Sequence, residues 1–297
     1  GHDGHTVMLL AAAGHLARTR AFDGTVVLIF QPAEEGRGGA QAMLREGLFE
    51  RYPVEAVFGL HNWPGYPAGT LAVDPGPVMA SANTFAIQLL GRGGHAALPH
   101  LTLDPVPVAC QLVQALQTIV SRSLRPIDTA VLSVTMVHAG EVTNVVPDAC
   151  RIEGTVRAFS SDVVDVIESR LKTLSHHVAQ AHGLGCEVEF LRRAPPVINH
   201  PREAAFAASV MTQIVGEAQV PTQVPAMASE DFAFMLQARP GCYAFIGNGE
   251  GDHRHAGHGA GPCMLHNPSY DFNDSLIALG ATYWARLAEG WLARVPE

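Results

Sequence analysis

The sequence predicts an α/β chain in two parts, a catalytic domain built on a parallel sheet and interrupted by a smaller α+β unit of ferredoxin-like order. Three observations carry that prediction. In the first part of the chain, apolar β-branched runs alternate with helical segments, the order of a parallel sheet whose strands are covered on both faces. After a Gly/Pro-rich stretch at 64–77 the pattern changes to apolar/polar alternation. The elements that follow then run β-α-β-β-α-β over about residues 83–192. The implied domains are 1–82 and 193–297 for the catalytic part and 83–192 for the satellite.

The Leu- and Ala-rich run from about Thr6 to Arg20 reads as a largely buried helix, with His2 ahead of it. Gly24 introduces Thr25-Val26-Val27-Leu28-Ile29-Phe30, suited to a buried strand, and Glu34-Glu35 follow at its carboxyl end. A helix near Gly39–Glu46 leads to a second buried strand, Ala56–Leu60, with His61 at its end. In the satellite, Phe85, Ile87 and Leu89 alternate with polar or small neighbours as in a half-exposed strand. Asp104-Pro105 opens a helix whose inner side is Val108, Leu112, Leu116 and Ile119. Strands near Ala130–Val137 and Ala149–Phe159, a helix from Asp162 closed by Gly183, and a strand at Cys186–Leu191 complete the unit. Pro195-Pro196 is the hinge back to the first domain, which resumes with a helix near Glu203–Gly216.

Composition narrows the function classes. With 28 acidic against 19 basic residues the formal charge is -9, and no Lys/Arg run could neutralise a phosphate backbone, so nucleic acid is not the partner. No apolar stretch reaches the roughly 20 residues needed to cross a bilayer. The five cysteines are odd in number and widely spaced, which is no disulfide framework and favours a reducing, cytoplasmic setting. The chain opens at Gly1 in the middle of Gly-His-Asp-Gly-His, the expectation for an N-terminally truncated sequence.

Histidines and acids cluster at predicted element ends: His2, Glu34, Glu35, His61 and, far along the chain, His266. Imidazole and carboxylate suit zinc, manganese or cobalt, and sites assembled from strand ends are common in α/β enzymes. Of two adjacent glutamates, one can hold metal while its neighbour takes a proton from water and delivers it to a departing nitrogen. Amide hydrolysis needs these parts.

Six further stretches join His2-Asp3-Gly4-His5 in chain order: Phe30-Gln31-Pro32-Ala33-Glu34-Glu35-Gly36, Leu60-His61-Asn62-Trp63-Pro64, Gly94-His95-Ala96-Ala97, Asn144-Val145-Val146-Pro147, Glu230-Asp231-Phe232 and Leu265-His266-Asn267-Pro268. Together they resemble the aminoacylase and carboxypeptidase-like metallopeptidases, in particular the amidohydrolase branch that contains hippurate hydrolase and the auxin-conjugate hydrolases. The resemblance implies a zinc-exopeptidase-like catalytic domain with an inserted ferredoxin-like dimerisation domain. It implies two divalent metal ions (Zn, Mn or Co) on His2, Glu35, His61 and His266, with Glu34 as general base. It also implies His95 as oxyanion donor from a partner subunit of a homodimer or higher homo-oligomer, and Asn144 and Arg157 as substrate-binding residues for a small N-acyl amino acid. Members of the branch carry a Cys-Gly-His whose thiolate is a further ligand, and here the sequence starts at the Gly. Weak metal binding and little activity are therefore expected of the chain as it stands.

Other roles compete for several of these residues. Glu34-Glu35 could be a solvated turn or an acidic helix start, although the buried run before them favours function. His5 and Asp3 either orient His2 or start the helix. Arg157 shares a strand face with Arg151, Glu153 and Thr155, where a cross-strand ion pair would suffice, and Asn144 could serve only its turn. The loop Asp252–His258 reads as a glycine-rich surface connection, Cys263 as an incidental thiol, and Glu230-Asp231 as the start of a helix that shapes the pocket. A dipeptidase or aminopeptidase of the same fold, or an inactive binding protein, are the competing functions.

Overall fold

The computed structural model describes residues 1–249, 264–268 and 270–293. The His-rich loop at 252–258 and Cys263 lie outside the described residues. Along the chain the principal elements are α1 (His2–Thr19), α2 (Gly39–Arg45), β1 (Val57–Pro64), β2 (Leu71–Ala72), β3 (Ala82–Leu90), α3 (Pro105–Thr118), β4 (Ala130–His138), β5 (Ala149–Ala158), α4 (Ser161–Ala181), β6 (Gly185–Ala194), α5 (Pro201–Val215), β7 (Gly241–Gly249) and α6 (Ile277–Trp291). They form two compact units, Gly1–Val78 with Ile198–Pro225 and Phe234–Glu297, and Met79–Val197 with Ala226–Ala233.

In the first unit β7 is the central strand, parallel to β1 and antiparallel to β2. Every residue of β7 is buried, as a strand flanked on both edges and covered on both faces requires. Its Cys242, Ala244 and Ile246 join Met8, Leu60, Leu71, Val210, Met211, Tyr283 and Leu287 in one core. Helix α1 reaches that core through Gly4, Met8, Ala12 and Leu16, one stripe at intervals of four. Gly280 of α6 receives Met8: a Cβ there would sit 1.9 Å from the Met8 sulfur.

The second unit is a four-stranded antiparallel sheet in the order β4-β5-β3-β6. With α3 after β3 and α4 after β5, its chain order is β-α-β-β-α-β. Ile87, Leu89, Ile152 and Val156 pack with Val108, Leu112 and Leu116 of α3 and Val164, Ile167 and Leu171 of α4. The Asp104 side chain caps α3, accepting the Val106 N–H at 2.9 Å, with Pro105 in the first turn.

Four expectations need correction. Residues 25–30 form no strand, and Leu28 and Phe30 are 37% and 46% exposed. A strand buried on both faces needs ladder partners, and the three-stranded sheet takes up none of this run. Helix α1 starts at His2 and not beyond it, so His2 and His5 stand three residues apart on one helix. That helix is also buried along one stripe only, since Val7 and Leu10 are 44% and 61% exposed. Strand β1 runs on past Leu60, which places His61 inside it. Among the described residues no helix is long and apolar enough to cross a membrane.

Candidate metal centre

The site in the first unit is assembled from the start of α1, strand β1, the turn before α2 and the segment around His266. His2 and His61 have ring centroids 5.6 Å apart, and the His5 ring lies 4.3 Å from His61 and 5.6 Å from His2. His2, His5 and His61 each present a ligand-type atom within 4.8 Å of the others, and so, as a second group, do His2, Glu34 and Glu35. The Glu35 carboxylate lies 3.9 Å from His2 Nε2 and 3.0 Å from His266 Nε2. The five residues His2, Glu34, Glu35, His61 and His266 thus meet in one place, although residues 2 and 266 lie at opposite ends of the chain.

The backbone is bent to achieve this. Glu34 and Glu35 occupy a four-residue helical turn entered through Ala33 at φ 56°. The turn folds so closely on itself that a Cβ on Gly39 would lie 1.6 Å from the Pro32 carbonyl oxygen. His266 is likewise left-handed, at φ 69°. Side chains with a Cβ rarely adopt this conformation, and where they do it often marks a functional constraint.

Burial draws the His61 imidazole down to about 4, and His2, the chain amino group and His266 add to the effect. Its bond to the Asn62 carbonyl works in the opposite direction. In that bond Nδ1–H donates at 2.7 Å, so the lone pair of the neutral ring is on Nε2. His5 is held well below its ordinary value by burial first and by His61 second. At neutral pH His5 and His61 are therefore neutral imidazoles, and with the carboxylates beside them they offer the donor chemistry that borderline divalent cations take.

The remaining candidates belong to the second unit. His95 is exposed in a two-residue strand, and its Nδ1 accepts the Ala97 N–H at 3.1 Å, leaving Nε2–H as an outward donor. Asn144 is exposed, its carbonyl accepting the Ala96 N–H. Among the described residues Arg157 makes no cross-strand ion pair: Arg151 takes Glu153 at 2.6 Å, while Nη1 of Arg157 is buried with no hydrogen-bond partner among them. Burial also pulls its guanidinium below the usual value. Glu230 and Asp231 are 6% and 5% exposed, and Glu230 accepts the Phe232 N–H at 3.0 Å just ahead of a helix at Ala233–Ala238. Sequence reasoning passed over Tyr270, which hydrogen-bonds Asn62, and no local signal marks it.

The fold and the His/Glu cluster define a hydrolase of the metallopeptidase type. The chain belongs to peptidase family M20/M25/M40, whose sequence profile matches residues 1–290. It is 39% identical over 293 residues to a hippurate hydrolase from Campylobacter jejuni, covering 98% of this chain and 73% of that protein. It is 37% identical to an N-acetyl-L-cysteine deacetylase from Bacillus subtilis, covering 96% of this chain and 65% of the relative. A crystal structure of a dinuclear metal-binding peptidase of the M20 family, also from Bacillus subtilis, superimposes with a TM-score of 0.83 at 29% identity, over 99% of this chain and 73% of the other.

Proposed function

We propose that the chain hydrolyses the amide bond of N-acyl amino acids, hippurate-like or N-acetylated, with His2, Glu35, His61 and His266 holding two divalent ions (Zn, Mn or Co) and Glu34 as general base. The observation that carries this is the meeting of His2, Glu34 and Glu35 within 4.8 Å, with His61 and His266 against the same cluster. The donor set fits such ions: His61 is neutral with its Nε2 lone pair uncommitted among the described residues, and Glu35 lies between two imidazoles. Names borne by the relatives, hippurate hydrolase and N-acetyl-L-cysteine deacetylase, support the substrate class.

When bound, the ions supply polarisation of the scissile carbonyl and acidify the attacking water. Glu34 takes that water's proton and delivers it to the departing nitrogen. The Nε2–H of His95, contributed by the partner chain of a homodimer through the inserted domain, donates to the developing oxyanion. Arg157 pairs its guanidinium with the substrate carboxylate, and Asn144 holds the substrate beside it. A cytoplasmic setting is part of the same proposal; among the described residues Cys110, Cys150, Cys186 and Cys242 are free thiols.

The test is amino-acid release from hippurate, N-acetyl amino acids and free-amine dipeptides with added Zn, Mn or Co. It is run on the metal-free and the metal-loaded forms of the chain. Release from the capped substrates is expected. Turnover confined to dipeptides would replace the proposal with a dipeptidase, and no turnover in either form would reject it.

A further inference from the structure

We infer that His5 and Tyr270 are positioning residues that clamp Asn62 and, through it, hold His61 in the tautomer and orientation a cation requires; the inference rests on the metal-centre reading above. Asn62 is fully buried, so each of its polar groups needs a partner inside the protein. Its backbone N–H reaches His5 Nε2 at 3.0 Å, and its side-chain amide meets the same nitrogen at 2.6 Å. With the His5 proton on Nδ1, Nε2 accepts the backbone N–H; with it on Nε2, the ring donates to Oδ1. Both tautomers therefore grip Asn62. The other end of the amide is hydrogen-bonded to the Tyr270 hydroxyl. The Asn62 carbonyl, fixed by this clamp, accepts Nδ1–H of His61 at 2.7 Å.

The packing around the clamp leaves it little freedom. A Cβ at Gly1 would lie 3.0 Å from Asn62 Oδ1 and 3.2 Å from the Tyr270 ring, and one at Gly4 would lie 2.5 Å from the Phe272 ring. These two glycines let α1 sit close enough for His5 to reach a residue 57 positions away. His5 could be mistaken for a third imidazole ligand, since it stands beside His2 and His61. Its Nε2 is committed to Asn62 instead. Partners of this kind fix the tautomer of a ligating histidine, and their loss typically weakens metal binding about 10- to 100-fold.

Imidazole 15N spectra of the metal-free chain and cation titration against a competing chelator test this together. The wild-type chain should show His61 as the single Nδ1–H tautomer. His5→Phe should show mixed tautomers at His61 and bind Zn about 10- to 100-fold more weakly with the number of ions per chain unchanged. His5→Gln, which keeps a donor and an acceptor for Asn62, should recover most of that affinity. Tyr270→Phe removes only a hydroxyl and should give the same changes in smaller measure, which keeps the test open if His5→Phe does not fold. An unaltered His61 tautomer and affinity in these variants would overturn the inference, and so would the loss of one ion per chain in His5→Phe, which would make His5 a ligand. A wild-type chain that binds no cation would reject the metal-centre reading, while the tautomer measurement would still decide the role of His5.

Discussion

Acid should destabilise the metal-free first unit, and His61 should account for a measurable part of the loss. In the unfolded chain this imidazole takes up a proton near 6.5, whereas in the folded unit burial delays uptake to about 4. Between those values the unfolded state binds more protons, so stability is full above pH 6.5 and falls as the pH drops toward 4. At about 1.4 kcal/mol per pKa unit the gap corresponds to about 3 kcal/mol, and the partial solvent contact of His61 reduces this to about 2 kcal/mol. His5, lowered by burial and by His61, acts in the same direction. Urea unfolding of chelator-treated protein at pH 7, 5.5 and 4.5 would measure it. Tryptophan fluorescence reports the first unit alone, because Trp63, Trp284 and Trp291 all belong to it. His61→Gln should lose about 2 kcal/mol less than wild type across that range. Equal losses in the two proteins would refute the argument that burial holds His61 neutral.

Other consequences are open to direct measurement. Glu34→Gln should retain its bound ions by elemental analysis and lose about 10²- to 10⁴-fold in kcat, the usual share of a general base. Arg157→Met should raise KM for N-acyl amino acids about 10- to 100-fold, as loss of a charge-assisted contact to the carboxylate predicts. The same variant should handle an acyl amide lacking that carboxylate much as wild type does. Gly4→Ala would push a methyl group to 2.5 Å from the Phe272 ring, and thermal unfolding should show a loss of about 1–3 kcal/mol.

Much of the second unit was legible because its signals are local. The alternation Phe85-Ile87-Leu89, the Asp104-Pro105 helix start and the Val108-Leu112-Leu116 stripe each state their element within a few residues, and all stand in the structure. Residues 25–30 misled because β-branched apolar residues report compatibility with a strand, while the strand itself depends on partners elsewhere in the chain. Residues 226–233 group with the second unit although the sequence pattern after the Pro195-Pro196 hinge gives no sign of it. At the candidate site, the Glu34-Glu35 pair and His61 were marked by the motifs around them. The Asn62 clamp was not, because the His5 contact spans 57 residues and the Tyr270 contact 208, beyond the reach of any pattern read along the chain.

Anomalous diffraction from crystals grown with Zn or Mn bears most directly on the whole account. It predicts density within about 2.0–2.3 Å of His61 Nε2 and of donor atoms from His2, Glu35 and His266, with the Glu34 carboxylate facing the same space and its oxygens off the metal. Metal ligated elsewhere on the chain, with those four side chains left unligated, would contradict it.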